Sequence, residues 1–472
     1  MPDYYSEPFL TLAGLTHKSA LISWGAFYFR VKNSGQEFKL VDDDDLKNVH
    51  PPRADSIGAK SKPYGNAKVE VMDLAGNVVT TAFTSQANHC WVTGLAPDTE
   101  YTYRVLVNDE EWAQGPRRNW ERVGGEMGLG PKNKSYRNRF RTYPDPTKPT
   151  PSPFTFAVIG DFGVGIKADK EDRRQRQIAE ALEKAVDEHN VRLLLTTGDN
   201  IYRTGGFLGL PIGGDTGDED DDWYFTYYQP YRYVINRVPS YPAIGNHDAA
   251  ETESRDDRSQ LVDNFYVNER IAGEEAAGRA SVDPGLFYRF RFGSDVEFIC
   301  IDTSKEPTLF DRDKRLFEHP KHKEFLKAAL PEANGGASPS WLIPFCHHPP
   351  FCAGPAHHNT PGMETLVEQF EKAGVRVVLS GHEHQYQESE WKGVKYMVTG
   401  GAGQVRTKTP DEFDDAHTIS WAAAHHFLLV TVDGKQMTIR PIGELSGGKL
   451  SDIQRRTPEG GVVGGPIVVN LP

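Results

Sequence analysis

Five short strings in the 472-residue chain carry the residue types that hold metal ions and move protons. They are Gly160-Asp161-Phe162-Gly163, Gly198-Asp199-Asn200-Ile201-Tyr202, Gly245-Asn246-His247-Asp248, His347-His348-Pro349 and Gly381-His382-Glu383-His384. Each sits at or just after an apolar run. Each therefore reads as a loop at a strand end, where carboxylate, amide, phenol and imidazole can turn into one crevice. Histidine usage points to the same place, since six of the sixteen histidines fall between positions 347 and 384. These donors are hard or borderline and include no thiolate, which suits Fe, Mn or Zn better than a soft-metal or iron–sulfur site. They are too many for one tetrahedral zinc, and none has the short Cys/His spacing of a zinc finger. Two neighbouring cations sharing one carboxylate would use them all. Such a pair can clamp a phosphate while generating a hydroxide nucleophile.

Taken singly, each string has a plainer reading. Gly-Asp pairs are common at turns, and a lone tyrosine such as Tyr202 is more often half-buried packing than a ligand. His382 and His384 alternate, so in an ordinary strand they would share one face as solvated side chains. It is the five in order that carry the signal.

In that order the strings resemble the calcineurin-like metallophosphoesterase superfamily and, within it, the purple acid phosphatases. The pattern of that branch is Gly-Asp-x-Gly, Gly-Asp-x-x-Tyr, Gly-Asn-His-(Asp/Glu), Val-x-x-His and Gly-His-x-His. Most of the superfamily has a histidine where this chain has Gly163, and the purple branch gains the tyrosine found here as Tyr202. Pro344 stands where the fourth string expects valine, with the spacing to His347 kept. The resemblance implies Fe(III) held by Asp161, Asp199, Tyr202 and His384. It implies a divalent Zn, Mn or Fe held by Asp199, Asn246, His347 and His382, with Asp199 as the bridge. His247 would contact the phosphoryl group. His357 and His358 lie ten and eleven residues past His347, offset by one from a further histidine pair of the family, and join His247 as candidate catalytic residues.

The activity implied is hydrolysis of phosphomonoesters by attack of a metal-bound hydroxide, of the acid phosphatase type. Fe(III) is a stronger Lewis acid than a divalent ion, so the hydroxide would persist in acid. His247 or His357 is the type of group that protonates a leaving alkoxide. A phenolate on Fe(III) would also give a visible charge-transfer band. The partner is then a small phosphate ester. The same site could serve a phosphodiesterase or nucleotide hydrolase, the pocket walls deciding. A reading of another class is a binding module with a vestigial metal site, against which the intact ligand set argues.

The elements that must position these strings follow from periodicity. The fold class expected is α/β, a layered metallophosphoesterase sandwich of two mixed β-sheets flanked by helices, preceded by an all-β fibronectin type III-like sandwich. The sandwich is placed at 1–143, a polar, Pro-rich linker at 144–153, the catalytic domain at 154–445 and a C-terminal extension at 446–472. In the first part Ala20, Ile22 and Trp24 alternate as in a half-buried strand. The string from Leu95 to Tyr101 resembles the tyrosine corner of such sandwiches. Two inserts read as loops, an acidic one around 42–65 and a basic one at 117–141. In the second part Ile178, Ala181, Leu182, Ala185 and Val186 form one helical stripe. Strands are expected at 154–159, 192–197, 296–302, 341–346 and 375–380, with a helix at 363–372. The run 215–222, six acids in eight positions, reads as an exposed loop.

Composition bounds the rest. Lys and Arg number 53 against 66 Asp and Glu, a net charge of −13 that argues against a general nucleic-acid coat. No nucleic-acid binding is expected beyond a nucleotide substrate. No run of about 18 apolar residues is present, so no membrane-spanning helix is expected. Cys90, Cys300, Cys346 and Cys352 are too few for a disulfide scaffold, and the spacing of Cys346 and Cys352 does not establish a bridge. The opening Met-Pro-Asp-Tyr-Tyr lacks a basic stretch leading into an apolar core, which makes the cytoplasm the default address. A chain trimmed of its leader, secreted or periplasmic, would read the same. His348 is placed as a residue lining the pocket or packing beside it, and His425 and His426 as structural or rim histidines. No Gly-x-Ser-x-Gly elbow or P-loop is found, so serine hydrolase and P-loop kinase readings lack support.

Overall fold

A computed structural model describes residues 4–32, 37–40, 66–85, 87–123, 126–163, 173–202, 223–249, 258–273, 285–305, 314–333 and 340–472. The acidic segments at 42–65 and 215–222 lie outside the described residues. The chain divides into two compact units. One holds Met1–Tyr143 together with Asp218–Pro239 and Asp263–Gly273; the other holds Pro144–Gly217, Ser240–Val262 and Glu274–Pro472.

The first unit is built on a six-stranded and a five-stranded sheet, antiparallel throughout. Strand Glu100–Val107 alternates cleanly, burying Tyr101, Tyr103, Val105 and Val107. The Tyr101 hydroxyl accepts the Ala96 N–H at 3.0 Å, the contact a tyrosine corner makes. Two expectations are corrected here. Strand Ser19–Lys32 is not half-buried at its start, because Leu21 and Ser23 are as buried as Ala20, Ile22 and Trp24. The second face is covered from a distance, with Leu21 packing on Ala13 and Tyr266. Beyond the break after Tyr143, the unit also takes in Asp218–Pro239 and Asp263–Gly273. Its inserted aromatic segment also packs on the strands, with Tyr228 against Phe9 at 4.5 Å and Tyr224 against Phe27 at 4.7 Å. The buried Arg232 guanidinium lies 3.4 Å from Glu7. Lastly, the basic stretch read as a loop forms a hairpin, Pro116–Val123 with Glu126–Ser135. The overlooked signal is Gly124-Gly125 between its two arms, a common hairpin dipeptide.

The second unit stacks two mixed sheets. Ser240–Pro242, Val191–Thr196 and Phe154–Ile159 run parallel and are continued antiparallel by Phe427–Asp433, Gln436–Ile442 and Ile467–Asn470. In the nine-stranded sheet Val296–Cys300, Trp341–Phe345 and Val377–Ser380 run parallel. Phe154 and Phe156 of the first sheet meet Phe292 and Phe298 of the second, at 4.4 and 5.0 Å between centroids. Strands with every residue buried, such as Phe154–Ile159 and Val191–Thr196, read as continuous apolar runs because both faces are covered. The helical stripe lies on Arg173–His189, whose Ile178, Ala181, Leu182 and Ala185 are fully buried. Helix Glu364–Lys372 sinks Leu366, Val367 and Phe370 into a core with Phe317, Leu326 and Val378. Residues 446–472, expected as a C-terminal extension, supply strands to both sheets. Ile467–Asn470 closes one sheet, and Arg455–Arg456 with Val462–Val463 closes the other.

No helix among the described residues is long and apolar enough to cross a membrane.

Candidate metal centre

All five strings follow parallel strands of the second unit directly, so the carboxyl ends of two stacked sheets deliver them. The backbone is bent to do it. Asp161, Asp199 and His382 adopt left-handed φ angles of 53°, 48° and 74°. Such angles cost a non-glycine residue of the order of 1–3 kcal/mol and cluster at functional sites. Gly245 has no room for a side chain, since a Cβ there would lie 2.1 Å from Asp199 Oδ1.

Tyr202 is the hub. Its hydroxyl lies 3.1 Å from Asp161 Oδ1, 2.9 Å from Asp199 Oδ2 and 3.1 Å from His384 Nε2, all buried. One hydroxyl proton cannot serve two carboxylates and a ring nitrogen at once. Burial first, then Asp161 and Asp199, pushes the phenol well above its ordinary pKa of 10. His347 sits beside it, fully buried, with Nε2 3.2 Å from Asp199 Oδ2 and 3.0 Å from Asn246 Oδ1. Its Nδ1 faces the Thr197 carbonyl at 2.8 Å and must donate to it, which fixes the ring and turns Nε2 into the cluster. Burial disfavours the charge on His347, but Asp199 outweighs it and holds the pKa at about 9. Burial likewise works against the Asp199 anion, and His347 and His247 reverse this to lower its pKa. His382 Nδ1 is 3.1 Å from His347 Nε2, and its backbone N–H donates to Asp161 Oδ2 at 3.0 Å. Burial, with neighbouring His348 and His347, drives its imidazolium far down, leaving it neutral.

The donor set fits cations. Among the described residues, ligand atoms of Asp161, Asp199 and His347 lie within 4.8 Å of one another, as do those of His347, His348 and His382. Two buried carboxylates against one phenol proton and one imidazolium leave a surplus of negative charge that metal ions relieve.

The other candidates separate. His247 donates its backbone N–H to Asp199 Oδ1 at 2.9 Å and lies tilted against Tyr202, ring centroids 4.3 Å apart, with its side chain 32% exposed beside the cluster. His357 lies against His382, ring centroids 3.8 Å apart. His358 turns away and pairs with Glu412 at 3.1 Å, its side chain 42% exposed. His348 joins the cluster, 4.5 Å from His382 between centroids and held through Nδ1 by Thr303 Oγ1 at 3.0 Å. His426 is structural, bound by the Ala424 carbonyl and Thr399, and His425 lies 3.3 Å from Arg174. Cys346 and Cys352 are free, their thiols donating to the His348 and His357 carbonyls at 3.4 and 2.9 Å.

Sequence reasoning missed Asp248 and Asn200 as a support. Asp248 is buried and accepts N–H bonds from Asn200 at 3.0 Å, Gly245 at 2.8 Å and the Asn200 amide at 2.9 Å. It thereby ties the second string to the third. Burial and the nearby Asp199 raise its pKa to about 7. The available signal was its place at the end of Gly-Asn-His-Asp.

The family model for calcineurin-like phosphoesterases matches residues 154–386, a span that includes all five strings. Purple acid phosphatase 4 of Arabidopsis thaliana is 24% identical over 267 residues, covering 53% of this chain and 68% of that protein. The fold is similar to that of purple acid phosphatase PPD1 from yellow lupin (Lupinus luteus) seeds, with a TM-score of 0.59 at 14% identity over 99% of this chain and 74% of that one. It is also similar to PhoD, with a TM-score of 0.60 at 13% identity over 96% and 91% of the two chains. With its two mixed sheets and its buried acid–histidine cluster, the second unit carries a calcineurin-like phosphoesterase domain at residues 154–386, and the chain is distantly similar to purple acid phosphatases.

Proposed function

We propose that the chain is a dinuclear phosphomonoesterase of the acid phosphatase type. One cation, Fe(III), would be held by Asp161, Asp199, Tyr202 and His384, and a divalent one by Asp199, Asn246, His347 and His382. The observation that carries this reading is the Tyr202 hydroxyl held among two carboxylates and a ring nitrogen. When bound, the cations supply Lewis acidity toward the phosphoryl oxygens and toward a water.

The chain's own residues do the rest. Asp199 Oδ2 faces a residue of each ligand group, Tyr202 at 2.9 Å and His347 at 3.2 Å, while Oδ1 is held by the His247 N–H. Thr197 and Asp161 orient His347 and the His382 backbone, so the donors are set before substrate arrives. His247, about one-third exposed beside Asp199, is the group suited to contact the phosphoryl oxygens and deliver a proton to the leaving group. Burial and then Arg406 bring the His357 imidazolium down to about 4. Above that pH it is neutral, which suits a pocket wall rather than a proton source.

The test is a comparison of kcat/KM for p-nitrophenyl phosphate and its bis ester at acidic and neutral pH, with a visible spectrum of the iron-loaded protein. Preference for the monoester, and a visible band that disappears in Tyr202→Phe, is the expected result. A large preference for the diester makes the chain a phosphodiesterase, and a colourless iron-loaded protein removes Tyr202 from the ligand set.

Metal uptake should also depend on pH in a definite sense. In the cation-free chain His347 keeps its proton up to about pH 9 and Tyr202 is a neutral phenol. Both protons must leave if both side chains bind, so affinity falls as pH falls. Calorimetric titration of the metal-free protein at neutral pH, in buffers of different ionisation enthalpy, should read about one proton or more released per chain. A heat independent of buffer would exclude both residues as ligands.

A further inference from the structure

Glu383 lies between the two histidines of the fifth string, and its carboxylate is buried. Burying such a charge is costly unless it is fully partnered, and its partners come from two other segments of the chain. Oε2 accepts the backbone N–H groups of Ala356 at 3.1 Å and His357 at 2.8 Å. Oε1 receives Arg406 Nη1 at 3.0 Å. Arg406 is itself held, its backbone N–H donating to the His384 carbonyl at 3.0 Å and its carbonyl accepting the Gln385 amide at 2.6 Å. The far side of the loop is tied by the Cys352 thiol, which donates to the His357 carbonyl at 2.9 Å. The segment from Ala353 to Asn359 has only an isolated bridge between Ala353 and His358, so at Ala356 and His357 these bonds help to hold its course. Two successive amides on one carboxylate oxygen also fix its local direction. The result is that His357 lies flat on His382 while its neighbour His358 faces Glu412.

We propose that Glu383 is a positioning residue: with Arg406 it clamps the Ala356–His357 amides and so fixes the His357 ring as one wall of the phosphoester pocket. A wall displaced by about 1 Å can cost about 10²-fold in rate. The kinetic half of the proposal rests on the phosphoesterase reading above; the structural half does not.

Two measurements on the full-length, metal-loaded protein test it. Residue-resolved hydrogen exchange should show the Ala356 and His357 amides exchanging about tenfold faster or more in Glu383→Ala, with metal content unchanged. Arg406→Gln should give a smaller increase, and Glu383→Gln, which keeps an acceptor oxygen, should recover most of the protection. If Glu383→Ala does not fold, Glu383→Gln and Arg406→Gln carry the comparison, the expected order being wild type slowest. With p-nitrophenyl phosphate, Glu383→Ala should lower kcat by about 10–10²-fold. In the His357→Ala background the same change should add little, because the clamp acts through His357. Unchanged exchange at the two amides overturns the proposal, and so does a Glu383→Ala penalty that persists in full without His357. A wild-type protein inert toward every phosphoester would defeat the functional reading alone, since the exchange measurement still decides the clamp.

Discussion

Asp199→Ala is expected to strip both cations from the protein and to lower phosphoester turnover by more than about 10³-fold. Loss of one fixed electrostatic donor from an active site already costs about 10²–10³-fold, and this change touches every proposed ligand group. Asp199 Oδ2 faces Tyr202 at 2.9 Å and His347 at 3.2 Å, and Oδ1 accepts the His247 amide at 2.9 Å. Without it, His347 loses the carboxylate that outweighs its burial, and its imidazole no longer has an anion on its inner side. Asp199→Asn separates charge from shape, because its amide oxygen can still accept the His247 N–H. Elemental analysis and turnover of the two variants give the reading. Both should lose metal, Asn keeping the better thermal stability. Near-wild-type turnover in either would end the bridging assignment.

Asp248→Ala should unfold the site from beneath. The carboxyl accepts three N–H bonds from Asn200 and Gly245 in a space closed to water. Leaving buried donors unmet costs about 1–3 kcal/mol each, so a loss of at least about 3 kcal/mol is expected, read as a lower denaturation midpoint. Turnover should fall with it, by about 10–10²-fold, the usual effect of removing a group that orients metal ligands, since Asn200 and Gly245 flank Asp199. Asp248→Asn offers one acceptor oxygen in the same volume and should recover part of the stability. The sign of the pH dependence separates them further. A carboxyl whose pKa rises from 3.8 to about 7 on folding contributes stability fully below 3.8, and loses it as pH rises through about 7. The metal-free wild type should therefore weaken against Asp248→Asn as the solution passes from acid to neutral. Parallel midpoints for the two proteins across that window would show that the carboxyl does not titrate there.

The local chemistry of the centre was legible because metal donors must stand at loop ends, and those loops follow apolar runs that can only be buried strands. Asp161, Asp199 and His347 are of this kind, as is the stripe from Ile178 to Val186. Strand ends moved by one or two residues, as at Val377–Ser380, because the last ladder bond rather than the last apolar residue ends a strand. What stayed hidden was the choice of distant partners. Leu21 looked outward until Tyr266 covered it, and nothing near position 21 encodes that. The opposite courses of His357 and His358 depend on Glu383 and Glu412, 26 and 54 residues further on, so local pattern gave both the same role. Asp248 was visible only as the final letter of a motif, its bonds to Asn200 being set by the turn geometry at Gly245.

The aromatic contacts of the first unit bear on how such a chain could have arisen. Phe9 and Phe27 precede the linker, whereas Tyr224 and Tyr228 are encoded between the second and third catalytic strings. A recombination that brought in a different upstream sandwich would leave those tyrosines facing a surface they were not selected against. Replacing residues 1–143 with a foreign sequence would therefore remove the partners of the inserted tyrosines unless the inserts were changed with it.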